Sequence, residues 1–321
     1  MRAASTELTL RDHLGSLRVR FGIARKNYRI DPGLYTIGSP DQDSPVLVSS
    51  NYKLTFDSLR KELKGLDCYL IVLDTKGINV WCAAGKGTFG ATEIANRIER
   101  TNLEEKVSHR ILILPQLGAS GVNAHEVKRL TGFDVVYGPV RAKDVRRFLA
   151  DGMVATEDMR TVKFTIRDRV VLTPVEVVSA MKISLLVFGL MFLANLVTSG
   201  SFGMYDLCIY MGAVLTGTVV TPILLPFIPG RAFSLKGWVT GFMFTAFLMW
   251  RFGWFEITEI FTVIGYLMIL PSVSAYFAMN FTGSSTYTSP SGVYKEMKVA
   301  IPLIIATVCI GIAALFWGKI L

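Results

Sequence analysis

Cysteine is scarce in this chain: four residues in 321, Cys68, Cys82, Cys208 and Cys309, dispersed and with no C-x-x-C pair. That excludes a disulfide framework and a zinc or iron-sulfur site built from the chain's own thiols. A metal would have to arrive in a cofactor or rest on a single thiolate. Histidine is scarcer, with His13, His109 and His125 only. No run of five or more like charges occurs, and the excess of 34 Lys and Arg over 25 Asp and Glu is interleaved along the chain, which argues against a nucleic-acid surface. No apolar stretch followed by a small-residue cleavage site opens the sequence, so no secretory signal is expected and the polar half should stay in the cytoplasm.

Charge is also missing from one half. Residues 1–170 hold 27 of the Lys and Arg and 20 of the Asp and Glu, leaving 7 and 5 for residues 171–321. With 51% hydrophobic residues overall, the second half is expected to be lipid-soluble. Five apolar stretches, about 175–198, 205–228, 237–254, 257–281 and 298–318, approach the roughly 20 residues that a spanning helix needs. The third is the weak one, because Lys236 and Arg251 bound it and must reach toward the interfaces for it to span. Arg231 and Lys236 lie between the second and third stretches, and Lys295 and Lys298 lie at the entrance to the fifth. The positive-inside rule therefore places the N-terminal half in the cytoplasm. The expected organisation is a cytoplasmic domain over 1–165 and a bundle of about five transmembrane helices over 166–321, in the inner cell membrane.

Within the first half, short apolar runs alternate with amphipathic segments of ten or so residues. Pro45–Ser49, Cys68–Leu73, Arg110–Leu114 and Asp134–Tyr137 read as strands; 53–64, 88–100, 122–130 and 141–150 read as helices. That order predicts an α/β domain, a Rossmann-like parallel sheet flanked by helices, after an irregular N-terminal stretch. Ligands on such sheets bind beyond the carboxyl ends of the strands. The loops expected there carry Ser49, Ser50 and Asn51; Asn79 to Gly85; Gln116, Leu117 and Gly118; and Gly138, Pro139 and Val140. Four such loops on one edge would floor a large planar ligand.

The most informative segment is Asn79, Val80, Trp81, Cys82, Ala83, Ala84, Gly85 and Lys86, a thiol among small residues close to an expected helix start. Taken alone, a cysteine between tryptophan and alanine is more often a small buried hydrophobe than a ligand. The run nevertheless resembles the cap-helix motif of the mercury-methylating corrinoid proteins. The resemblance extends through Val48–Asp57, Leu114–Val122 and Val136–Asp144, and the apolar second half also fits. The last of these motifs are shared with the large subunit of the corrinoid iron-sulfur protein of the acetyl-CoA pathway.

The resemblance implies a corrinoid cofactor with cobalt, the loop residues above as its contacts, and Cys82 as the lower axial ligand of the metal. It implies a methyltransferase that passes a methyl group from cobalt to Hg(II), with a methylated folate as the methyl source. It also implies a ferredoxin-like partner with two [4Fe-4S] clusters, since the chain has no cluster motif of its own. The chemistry is coherent, because a soft anionic thiolate donates to cobalt more strongly than imidazole. The D-x-H-x-x-G loop, through which other cobalamin modules supply a histidine, is missing. Two rival readings stay open. One is a membrane-bound corrinoid methyl carrier of one-carbon metabolism whose acceptor is not mercury. The other is a dinucleotide site, since Gly85–Gly90 fits G-x-G-x-x-G, although only the short Ile78–Trp81 run precedes it where a full strand is required.

Overall fold

In the computed structural model, which describes residues 1–198, 202–252, 260–285 and 290–320, the elements of the first half follow in order. They are β1 (Arg2–Ala3), α1 (Leu10–Arg20), β2 (Gly33–Ile37), β3 (Val46–Ser50), α2 (Lys53–Arg60), β4 (Cys68–Leu73), α3 (Val80–Gly85), α4 (Ala91–Thr101), β5 (Ile111–Leu114), α5 (Ala124–Thr131), β6 (Asp134–Tyr137), α6 (Val145–Ala150) and α7 (Glu157–Arg160). The strands form one sheet in the order β1-β2-β4-β3-β5-β6. Every residue of β3 and β4 is buried, as a strand covered on both faces requires, which is why these runs are continuously apolar rather than alternating. One face packs Val46, Val48, Ile71 and Leu73 against Ile94, Ile98 and Phe133. The other packs Leu47, Leu70 and Val72 against Phe56, Leu63 and Phe148.

The sheet is mixed, which corrects the expected all-parallel one. β3, β4, β5 and β6 are parallel, but β2 runs antiparallel to β4 and β1 adds a two-residue parallel edge. β2 buries Leu34, Tyr35 and Ile37. As five residues between Pro32 and Gly38, it is too short for its periodicity to distinguish it from loop. The N-terminal stretch is not irregular either. α1 opens with a capping box in which Asp12 Oδ2 accepts from Thr9 N at 2.9 Å and Asp12 N donates to Thr9 Oγ1 at 3.3 Å, satisfying donors that the first helical turn leaves free.

Four charges fasten α1 to α2. Lys53 Nζ donates to Asp12 Oδ1 at 2.6 Å and Asp57 Oδ2 at 2.7 Å; Arg60 reaches Asp12 Oδ2 at 2.9 Å and Asp57 Oδ1 at 2.8 Å. Arg60 Nη1 also donates to the carbonyls of Ser5 and Glu7. Burial pushes the Asp12 carboxyl up, but its hydrogen bonds from Lys53 and Thr9 outweigh this and hold it well below the usual carboxylate range. A lowered native value stabilises the fold above the unfolded value of about 3.9, and that contribution is lost as pH falls below it. Asp12→Asn is expected to cost about 2–3 kcal/mol at neutral pH and to flatten the acid limb of the stability curve, measurable by thermal unfolding across pH 3–7.

The chain divides into two compact units, Met1–Val19 with Ile23–Lys163, and Arg20–Gly22 with Phe164–Leu321. The second unit is helical: α8 (Ile166–Val170), α9 (Thr173–Thr198), α10 (Met204–Leu215), a π-turn over Thr216–Val220, α11 (Thr221–Leu224), α12 (Phe233–Arg251), α13 (Ile260–Asn280) and α14 (Pro290–Ile320). Four stretches are long and apolar enough to cross a membrane: Ile166–Leu196, Met204–Leu224, Ile260–Ser284 and Ser291–Gly318. Residues 257–259, where the fourth stretch was expected to begin, lie outside the described residues.

The expected third span is α12, and it is not among the four. Its buried face carries Lys236, Gly237, Thr240, Gly241 and Thr245, which lowers its apolarity and adapts it to pack on another helix. A Cβ at Gly237 would stand 2.4 Å from Ala278 Cβ, and one at Gly241 2.8 Å from Pro271 Cα. The G-x-x-x-G spacing thus lets the α12 and α13 backbones approach closely. Lys236 does not extend outward as expected. Its ammonium donates to Leu225 O at 2.5 Å and Ile228 O at 2.8 Å, satisfying carbonyls that the end of α11 leaves open.

Candidate functional site

The carboxyl ends of the four parallel strands meet at one edge. Their lateral order, β4-β3-β5-β6, puts the first of them between the second and third, so the winding reverses between β3 and β5, where α/β folds bind ligands. A cavity of about 380 Å³ lies there. Its walls are Leu47–Ser49 of β3, Ile113 and Leu114 of β5, and Tyr52, Leu54, Thr55, Ser58 and Leu59 on and before α2. Asn79, Val80 and Trp81 open α3 on one side; Pro115, Leu117, Gly138, Pro139, Val140, Ala142 and Val145 close the other.

α3 is held by a buried polar turn. Asn51 Oδ1 accepts from Thr75 N at 3.1 Å, Thr75 Oγ1 at 2.9 Å and Gly77 N at 2.9 Å, while its amide donates to Asp74 Oδ1 at 3.1 Å. Lys76 and Gly77 take the left-handed φ values of 57° and 73° that this tight turn requires. The chain then enters α3 with Asn79 as its cap, Oδ1 accepting from Cys82 N at 2.9 Å. Such a cap is worth about 1 kcal/mol, a substantial contribution for a six-residue helix.

The inner face of α3 is Val80, Ala83 and Ala84, all buried, and the outer face is Trp81, Cys82 and Gly85, all exposed. Small residues set the closeness of the inner contact. A Cβ at Gly121 would fall 2.6 Å from Ala84 Cα, and one at Gly118 2.6 Å from the Phe89 ring. The turn after β5 therefore lies directly beneath α3.

Of the residues singled out from sequence, Ser49, Asn79, Val80, Trp81, Leu117, Gly138, Pro139 and Val140 line the cavity. The others surround it. Cys82 follows Trp81 on the exposed face. Ala83 and Ala84 pack into the core. Gly85 and Lys86 end α3, and Gly87 turns with φ 74°. Asn51 organises the turn, and Gly118 makes room for Phe89. The G-x-G-x-x-G spacing of Gly85–Gly90 follows helix α3 rather than a strand, so it lacks the setting a dinucleotide site requires. The α2 contribution was not singled out from sequence, although Thr55, Ser58 and Leu59 fall at i, i+3 and i+4, the spacing of one helical face.

The donor set fits a corrinoid. No group of three or more His, Cys, Asp or Glu residues that would hold a metal ion exists among the described residues. A single exposed thiol suits a metal whose remaining positions are filled by a macrocycle. The cavity falls within the range of small-molecule sites, which combine apolar walls with a few polar groups. Two polar atoms in the same loops, Ser50 Oγ and Gln116 Oε1, are buried with no hydrogen-bond partner among the described residues, a costly state.

The two cysteines of the first unit contrast. Burial, reinforced by the Asp67 carboxylate, pushes the Cys68 thiol up to about 12, whereas Cys82 is exposed. Iodoacetamide at pH 8 is expected to alkylate Cys82 at least about 100-fold faster than Cys68, which peptide mass spectrometry measures.

Residues 11–149 match the family model described as CO dehydrogenase/acetyl-CoA synthase delta subunit. The chain is 36% identical over 137 residues to the acetyl-CoA decarbonylase/synthase complex subunit gamma of Methanopyrus kandleri, covering 42% of this chain and 29% of that protein. It is 37% identical over 127 residues to the same subunit of Methanocaldococcus jannaschii, covering 39% and 26%. Against the corrinoid/iron-sulfur protein large subunit of Moorella thermoacetica it is 34% identical over 122 residues, covering 37% and 27%. The chain thus spans less than a third of the length of these relatives.

Proposed function

We propose that the first unit is a corrinoid-binding domain of one-carbon metabolism, part of a membrane-bound methyl carrier, in which the Cys82 thiolate would hold the cobalt of a bound corrinoid. The observation that carries this reading is the position of α3: Trp81 lines the cavity at the strand edge and Cys82 follows it on the open face. A bound corrinoid would supply a cobalt centre able to take up and give up a methyl group. The chain's own part is to position and shield. Asn79 fixes the backbone of Cys82, Ala84 and Gly121 fix the height of α3, and the apolar walls keep water from one side of the ligand. Ser50 and Gln116 would turn toward its polar rim. The long apolar helices would hold the carrier in a bilayer.

A second reading, favoured by the exposed thiol together with those helices, makes Hg(II) the methyl acceptor. The carrier would then act with a ferredoxin-like protein bearing two [4Fe-4S] clusters as electron donor, and with a methylated folate as methyl source. Corrinoid-loaded full-length protein, methylated and supplied with reductant, should deliver its methyl group to an added acceptor. Methylmercury from Hg(II) would select the second reading. Delivery to a one-carbon enzyme but not to Hg(II) would select the first. A full-length chain that takes up no corrinoid would end both.

A further inference from the structure

The outward face of α1 carries exposed apolar side chains that no other described residue covers. Leu10, Leu14 and Leu17 are 74%, 53% and 52% exposed, and Phe21, just past the end of the helix, is 41% exposed. Spaced at i, i+4 and i+7, the three leucines share about 60° of helical arc. The opposite face is the docked one, where Val19 is buried and Asp12 holds Lys53 and Arg60. Arg11 and Arg18 flank the stripe and are exposed, and exposed Arg25 and Lys26 follow the helix. An aligned row of large side chains this open is not ordinary surface. An apolar stripe bordered by cations is the pattern of a helix lying in the headgroup region of an anionic membrane. α1 ends at Arg20, and Arg20–Gly22 belong to the helical unit.

We infer that α1 is an interfacial helix, its Leu10, Leu14 and Leu17 stripe and the adjoining Phe21 seated among the acyl chains of an anionic lipid surface and Arg11 and Arg18 on the phosphates. It serves as a second attachment, distinct from the long apolar helices, and it rests on the membrane part of the proposed function but not on the corrinoid part.

Photocrosslinking tests it. Benzoylphenylalanine replaces Leu14 or Leu17 in the full chain, reconstituted in phosphatidylcholine vesicles with or without about 30% phosphatidylglycerol. Leu186, exposed on α9, is the lipid-facing reference, and Glu99, exposed on α4, is the aqueous one. Lipid adducts are expected at 14, 17 and 186 but not at 99. Those at 14 and 17 should fall roughly tenfold in Arg11→Glu/Arg18→Glu. Adducts at 186 with none at 14 and 17, or crosslinks from 14 and 17 to protein, would overturn the assignment while sparing the membrane reading. Absence at 186 as well would overturn both. Equal yields at 14 and 17 with and without phosphatidylglycerol would also overturn it.

Discussion

In the carrier proposed above, alanine at Cys82 is expected to leave the fold nearly unchanged, to cut methyl transfer at least about 100-fold and to shift the absorption spectrum of the corrinoid it would bind. The stability cost should be small, about 0.5 kcal/mol or less, because the side chain is exposed and the helix start depends on Asn79 Oδ1 and the Cys82 backbone amide, which alanine keeps. The spectral change separates a ligand from a bystander: an exposed cysteine without a metal bond has no means of altering the cofactor's absorption. Histidine at the same position should restore a ligand of weaker donation, giving a third spectrum and partial activity. Identical spectra for the natural chain and Cys82→Ala, at equal corrinoid loading, would remove Cys82 from the cobalt. The same substitution at Cys68 is a different experiment, since that thiol is buried in the core beneath the sheet and its loss would register as stability alone.

The second large effect is expected at Gly121, which has no functional group. A Cβ there would meet Ala84 Cα at 2.6 Å and the carbonyl oxygens of Ala84 and Phe89 at 2.7 Å. All three are backbone atoms, so no rotamer change relieves the clash and either α3 or the turn beneath it must move. Gly121→Ala is expected to cost about 3 kcal/mol, lowering the melting temperature of the first unit by roughly 6–12 °C. Because the displaced element carries Trp81 and Cys82, corrinoid uptake should weaken with it. Gly118→Ala should cost less, since the obstacle is the Phe89 ring, which can shift. Gly85→Ala, with nothing within 4 Å, should be nearly neutral for stability. A melting temperature for Gly121→Ala equal to that of Gly85→Ala would contradict the close seating of α3.

The stability of α3 also links the two predictions. Six residues are too few for a helix to persist alone, so its position depends on Asn79 above, the Asn51 turn before it and Gly121 below. A change at any of these should act on the thiol without touching it. Asn51 is the most connected of the three, with Thr75, Gly77 and Asp74 all bonded to its amide.

Some of this was determined by sequence alone. Val46–Ser50 and Cys68–Leu73 are apolar throughout because strands covered on both sides must be, and that requirement is local enough to read. The scarcity of charge after residue 171 marks the long apolar helices for the same reason, since composition decides what lipid tolerates. The loop segments around Ser49, Asn79, Leu117 and Gly138 were legible because strands that run parallel present their carboxyl ends together.

Other features were decided only in three dimensions. β2 joins the sheet because β4 offers it an unpaired edge, which a five-residue run cannot announce. The part Asn51 plays in holding the turn before α3 could not be read from sequence, since its partners lie more than 20 residues away along the chain. Thr55, Ser58 and Leu59 face the cavity only because α2 packs beside β3. α12 is the weakest of the expected spans and is not among the four stretches long and apolar enough to cross a membrane, and its Gly237 and Gly241 gain their meaning only against Pro271, Ser274, Ala275 and Ala278 of α13. Sequence patterns record what each segment must bury; which segments meet depends on the tertiary contacts that bury them.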